Sequence, residues 1–154
     1  MKIRAYHLGE EHEIWQLFQH TVHHVNARDY TKKQLNAWAP AEFNTVLWTK
    51  KLAELGSFVC VDNKKIIGYG DLQQKGYIDH FFCHHQYQGQ GVGSALMVHI
   101  HGLAAQQQIK QLSADVSITA KAFFEKNGFT VTRPQVVTIR GQALTNFKME
   151  KQLV

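Results

Sequence analysis

The apolar residues change period part-way along the chain. At the N-terminus, Lys2 to His7 alternates around Ile3 and Ala5 and predicts a short strand. Ile14, Leu17, Phe18, Thr21, Val22 and Val25 then recur at i, i+3, i+4 and i+7, the spacing of one helix face. After Asn26-Ala27-Arg28-Asp29 a second short helix is predicted over Thr31 to Ala37, with Thr31 as N-cap and Pro40 ending the region. Asn44 to Leu55 reads as a further helical turn or two, closed by Gly56. From Ser57 the pattern is β-rich: Ser57 to Val61 and Ile66 to Leu72 form a hairpin around Asp62-Asn63-Lys64-Lys65. Tyr77 to Cys83 is predicted as one continuous strand. A long helix follows over Gly91 to Gln107, with Leu96, Ile100 and Leu103 on one face. Gln111 to Val116 is a strand, and Thr119 to Lys126 a helix stopped by Asn127-Gly128. Phe129 to Ile139 and Ala143 to Glu150 close the chain as two strands around Arg140-Gly141.

A three-strand meander running into a βαβ unit predicts a mixed α/β domain, its sheet mainly antiparallel with one parallel pair. The chain has 154 residues, 44% of them hydrophobic and 19% charged, so a single globular domain over residues 1–154 is expected and a disordered chain is not. There are no repeats and no linker-like segment. Seventeen Lys and Arg against twelve Asp and Glu give +5, with ten histidines besides. The basic residues are scattered, never in a run longer than a pair, which argues against nucleic-acid binding. Cys60 and Cys83 lie in apolar runs without CxxC spacing, as in a reducing compartment. No signal peptide or membrane span is read, so a cytoplasmic protein without a membrane partner is expected.

The candidate chemistry sits at Gln88-Gly89-Gln90-Gly91-Val92-Gly93-Ser94, between a strand and a helix. Backbone N–H groups at a helix start form an anion site, and glycines let a ligand approach the main chain. The dinucleotide fingerprint fails, because its third glycine would fall at Ser94 or at Leu96. The Walker A loop fails for want of its Lys. Gln88-x-x-Gly91-x-Gly93 instead resembles the acetyl-CoA pyrophosphate loop of the GNAT N-acetyltransferases, [R/Q]-x-x-G-x-[G/A]. Ser117-Ile-Thr-Ala120-Lys-Ala-Phe123-Phe124-Glu-Lys-Asn-Gly128-Phe129 is similar to that family's later helix signature, N-x-x-A-x-x-F-Y-x-x-x-G-F. Tyr30-Thr-Lys-Lys-Gln34 to Ala37-Trp38, Ser117-Ile-Thr-Ala-Lys121 and Thr145-Asn-Phe147 add a likeness to its YafP-like subgroup.

The resemblance implies a GNAT fold, with central strands splayed by a β-bulge and flanked by helices. It implies transfer of the acetyl group of acetyl-CoA to a primary amine by direct attack in a ternary complex. Main-chain groups near Phe82 and Cys83 would pair with the pantetheine arm, and amides from Gly89 to Ser94, Gln90 and Val92 included, would hold the pyrophosphate. Ser117 replaces the family's common Asn beside the pantetheine, and Ala120 and Phe124 would wall the cofactor. Asp79 is the first candidate for general base. His80 is the second, although a regular strand would point it to the opposite face. Phe124 stands where the family often has a Tyr acid, so Tyr69, Tyr77 or water is considered for that role. Tyr30, Trp38 and Trp48 are candidates for the acceptor pocket. His20, His23, His24, His84, His85, His99 and His101 match no metal motif, and no metal is expected. Cys83 is expected to be a small buried hydrophobe rather than a nucleophile. The missing Tyr and the Ser117 substitution motivate an alternative, an acyl-CoA-binding sensor without turnover. The chain would act as a monomer or homodimer.

Overall fold

The computed structural model describes residues 1–153. Strand β1 (Lys2–Ala5) leads to helix α1 (Glu11–His24), then α2 (Lys32–Trp38) and α3 (Thr45–Leu55). Strands β2 (Phe58–Asp62), β3 (Lys65–Gly70), β4 (Tyr77–Ile78) and β5 (Phe81–Cys83) follow. Helix α4 (Val92–Gln106), β6 (Gln111–Ser117), α5 (Lys121–Lys126), β7 (Thr130–Ile139) and β8 (Gln142–Gln152) complete the order. None of the described helices is long and apolar enough to cross a membrane.

The predicted Thr31 cap forms. Thr31 accepts from the Gln34 N–H at 3.2 Å, while the Gln34 side chain accepts from the Thr31 N–H at 2.8 Å. This reciprocal capping box satisfies two otherwise orphaned donors. Asn44 caps α3 by accepting from the Leu47 N–H at 2.9 Å, and Gly56 ends it in the left-handed region. Each such cap contributes about 1 kcal/mol.

The strands form two four-stranded half-sheets, β1-β2-β3-β5 and β4-β6-β8-β7. All pairs are antiparallel except β4 with β6. The predicted strand over Tyr77 to Cys83 is therefore corrected: it is two strands, one in each half-sheet, interrupted at Asp79-His80.

Helices cover both faces, which explains the continuous apolar runs of β2 and β3. Phe58, Cys60 and Ile67 face α4, where Leu96, Met97, Ile100 and Ala104 make the buried stripe. Val59, Ile66 and Tyr69 face the layer of α1 to α3, against Ile14, Leu17, Phe18, Val22 and Leu52. Leu96 and Ile100 are fully buried, each stabilising the fold by about 1.5–3 kcal/mol. Leu103, predicted on the same stripe, is only partly buried.

Candidate active site

The break between β4 and β5 has an identifiable cause. Asp71, completely buried just after β3, accepts from the Asp79 N–H at 3.1 Å and the His80 N–H at 2.6 Å. Gln73 Nε2 donates to the same carboxylate at 2.8 Å. Two backbone donors that a continuous strand would give to a neighbour are thus taken by one side chain. Burial pushes the Asp71 carboxyl above its ordinary range, and its three donors work against that shift. Side-chain alternation fails across the break, so Asp79 and His80 line the same cavity instead of opposite faces. Sequence reasoning missed Asp71; its only signal was an acid ending an apolar strand.

On one side of the break lies a cleft of about 410 Å³. Gly91 begins α4 at φ +85°, and no side chain caps that terminus. The first N–H groups of the helix therefore keep their donors free, and the helix dipole adds positive potential. Gly93 must be glycine for another reason: a Cβ there would lie 2.9 Å from the Phe123 ring. Gln88, Gly89, Gly91, Val92, Gly93 and Ser94 line the cleft, with Phe82, Cys83, Ser117, Ala120 and Phe124. Gln90 does not line it; its side chain donates back to the Gln86 carbonyl at 3.3 Å. The Gln88 side chain braces the loop by donating to the Cys83 carbonyl at 2.9 Å. That carbonyl also accepts from Thr21 Oγ1 at 3.0 Å, so it is occupied within the protein. Ser117 Oγ accepts from Asn26 Nδ2 at 3.3 Å and from the Ala120 N–H at 3.1 Å. Burial pushes the Cys83 thiol up to about 12, which leaves no thiolate near neutrality.

Sequence reasoning also missed Asn26, Arg28, Thr119 and Lys126, which line this cleft from three different segments. Arg28 and Lys126 bring positive charge to it. Thr119 Oγ1 is buried without a hydrogen-bond partner among the described residues. Asn26 and Arg28 carry no local motif, and Thr119 and Lys126 fall at unspecified positions of the later helix signature.

On the other side of the break is a cavity of about 460 Å³. Tyr30, Trp38 and Trp48 all line it. The Tyr30 hydroxyl is committed: it donates to the Thr145 carbonyl at 2.6 Å and accepts from the Ile118 N–H at 3.0 Å. The Asp79 carboxylate lies 3.5 Å from Lys51 Nζ. Burial holds His80 neutral by lowering its pKa to about 4, with Asp79 opposing and Lys51 adding to the shift. His80 Nδ1 sits 2.9 Å from the hydroxyl of the fully buried Tyr69. That hydroxyl has no other partner among the described residues, so we assign it as donor to Nδ1. The proton of neutral His80 then sits on Nε2, which makes the ring a hydrogen-bond donor there.

The tyrosines considered as acids lie elsewhere. Tyr69 is sealed behind His80, Tyr77 donates to Asp115 at 3.0 Å, and neither lines a cavity. Phe124 is 3% exposed and packs edge-on against Phe81 and Phe129. Beside the cofactor-side cleft, His24 stacks on His85 at 4.4 Å and His84 on His85 at 4.7 Å. Among the described residues no three His, Cys, Asp or Glu side chains are arranged to hold a metal.

This arrangement has known counterparts. The family model for the acetyltransferase (GNAT) domain matches residues 26–153. The chain is 32% identical to YafP of Escherichia coli strain K12, named an uncharacterized N-acetyltransferase, over 97% of this chain and 94% of that protein. It superposes with a TM-score of 0.94 on the GCN5-related N-acetyltransferase "Aminotransferase, Class-II" of Rhodopseudomonas palustris, at 26% identity, covering 99% of this chain and 95% of that one. PaiA N-acetyltransferase from Thermoplasma acidophilum, solved in complex with coenzyme A, shares the fold at a TM-score of 0.78 and 15% identity, covering 99% of this chain and all of that one. A splayed sheet, an uncapped glycine loop at a helix start and a match over residues 26–153 agree: the chain belongs to the GNAT acetyltransferase family.

Proposed function

We propose that this protein transfers the acetyl group of acetyl-CoA to a primary amine by direct attack in a ternary complex. The observation that carries this reading is the meeting of the two cavities at the strand break, where both are walled by Phe81, Phe82, Ser117, Ala120 and Phe124. A molecule in the cleft and a molecule in the cavity would touch there. The free N–H groups at Gly91 to Ser94 suit a pyrophosphate, and Arg28 and Lys126 suit further phosphate charge. The buried, unpartnered Thr119 hydroxyl is a polar group a bound cofactor can satisfy. A neighbour of the same fold was solved in complex with coenzyme A, which supports a CoA ligand here. When bound, acetyl-CoA supplies an acyl group activated as a thioester; the products are an amide and a free thiol.

The acceptor must lose a proton. An alkylammonium with a pKa near 10 costs about 4 kcal/mol to deprotonate at pH 7, at about 1.4 kcal/mol per unit. Asp79 is the base in this reading, because its carboxylate can accept a proton at the strand break and the contact with Lys51 orients it. His80 is a donor rather than the base, with Nε2–H available to a developing oxyanion in the cavity. A thiol with an ordinary pKa near 8.5 leaves as a thiolate with little help at neutral pH, so Phe124 does not forbid turnover. The second reading, an acyl-CoA-binding module without turnover, is favoured by that same Phe124 and by Ser117.

A free-thiol release assay with acetyl-CoA across a panel of amines separates the two. Amine-dependent release is expected, and Asp79→Asn is expected to cut kcat about 10²-fold or more while acetyl-CoA still raises the melting temperature. Cofactor binding with no release on any amine would favour the binding module. An unchanged rate in Asp79→Asn would move the base elsewhere.

A further inference from the structure

The lining of the acceptor cavity narrows what it can hold. Phe18 lies 5.3 Å from Trp48 and 5.1 Å from Phe82 between ring centroids, and Trp38 lies 6.2 Å from Phe82. These rings form one continuous aromatic wall. The hairpin of β7 and β8 adds Val137, Ile139 and Leu144. Trp38 and Trp48 are only half-buried, so part of the wall stays wet until something covers it. Rings packed purely as core would be sealed by the protein itself, as Tyr69 is.

Several charged groups around the wall have partners. Lys51 pairs with Asp79. Arg140 donates to the Ala37 carbonyl at 2.6 Å. Asp115 accepts from Tyr77 and from Gln135, and Glu42 is exposed to solvent. Of the two lysine and arginine side chains that line the cavity, Lys51 is paired with Asp79, and Arg140 has one of its five N–H donors on a backbone carbonyl. Of the three carboxylates that line the cavity, Glu42, Asp79 and Asp115, Asp79 stands at the strand break, where the reacting amine must come. One acceptor atom does await a donor: Asn146 lines the cavity, and its Oδ1 is buried without a partner among the described residues.

We propose that the acceptor is a primary amine carried on an uncharged aromatic body, its ring against Trp48, Phe18 and Phe82 and its amine at Asp79. This rests on the acetyl-transfer reading, and it adds the substrate class. Flat rings suit this wall because aromatic pairs prefer the edge-to-face and offset geometries it already shows. An ammonium also gains from lying near aromatic faces on its way to Asp79.

The test compares 2-phenylethylamine and tyramine with putrescine and glycinamide, by thiol release and by calorimetric titration of protein saturated with CoA. The aryl amines are expected to show saturable binding, with kcat/KM at least about tenfold above the other two. Trp48→Ala is expected to remove about tenfold of that preference while the KM for acetyl-CoA stays within twofold. Stabilisation of this variant by acetyl-CoA reports that it is folded. Equal or better turnover of putrescine or glycinamide would overturn the proposal and leave acetyl transfer standing. So would the absence of aryl-amine binding to the CoA-saturated protein. If acetyl-CoA fails to stabilise the wild type, the transfer reading falls first. Aryl amines titrated into the unloaded protein then decide this one, and no binding there overturns it.

Discussion

The two cavities flanking the strand break are built from different materials. The anion end of the cofactor-side cleft is made of main chain: free N–H groups at the start of α4, glycines at positions 89, 91 and 93, and the small residue Ser94. The acceptor cavity is made of side chains sent in by α1, α2, α3 and the β7–β8 hairpin. Main-chain recognition constrains which residues can stand in the loop, so it leaves a contiguous sequence pattern. Side-chain recognition leaves none, because its members are scattered and each is an ordinary core residue taken alone.

The contrast can be broken most severely at Gly91. Gly91→Glu forces a β-carbon into φ +85° and places a negative charge at the anion site. It is expected to abolish the acetyl-CoA-induced rise in melting temperature, a stabilisation of about 2.7 kcal/mol at a hundredfold excess over Kd. Retention of the shift would show that the loop is not the phosphate site.

Next comes the feature that separates the cavities. Asp71→Ala strands the N–H groups of Asp79 and His80, and should lower unfolding free energy by about 2–4 kcal/mol in urea titration. If stability is unchanged, the break does not depend on this carboxylate.

Two histidines, one in the break and one just past β5, give a third probe. His80 and His84 both have pKa values lowered to about 4, chiefly by burial. Each is neutral in the fold, while the unfolded chain takes up a proton near pH 6.5. Their stabilising contribution is therefore full above pH 6.5 and is lost as pH falls toward 4. Melting temperature is expected to drop across that window. His80→Gln and His84→Gln should each flatten the slope, and equal slopes in wild type and both variants would contradict the assignment.

The smallest effect separates two neighbouring glutamines. Gln90→Ala, exposed and off the cleft, should leave the acetyl-CoA KM unchanged. Gln88→Ala removes the brace to the Cys83 carbonyl and should raise that KM a few-fold, about 1 kcal/mol for one hydrogen bond. Steady-state kinetics on the pair would expose an error if Gln90→Ala is the more damaging.

The sequence carried the order of elements because their signals are local. Helix α1 is legible in Ile14, Leu17, Phe18, Thr21 and Val22, and its neighbours in the cap at Thr31 and the stop at Gly56. The interruption of Tyr77 to Cys83 was not legible, because Asp71 acts on residues eight and nine positions away. Alternation then placed Asp79 and His80 on opposite faces when they share one cavity. The anion loop could be read from Gly91 and Gly93. Asn26, Arg28, Lys51 and Asn146 could not, because only tertiary packing brings them to the site.

Tyr30 has a consequence for the sheet itself. The rungs joining β6 to β8 end at Ser117 opposite Asn146. The next rung would join Ile118 to Thr145, and the Tyr30 hydroxyl stands in its place, bonded to the N–H of one and the carbonyl of the other. The phenol is a wedge in a zipper: it stops the two strands from closing further while leaving neither group unpaired. In deuterium exchange the Ile118 amide should be protected like a ladder amide although it faces no strand. Tyr30→Phe should release that single amide far more than its neighbours in β6.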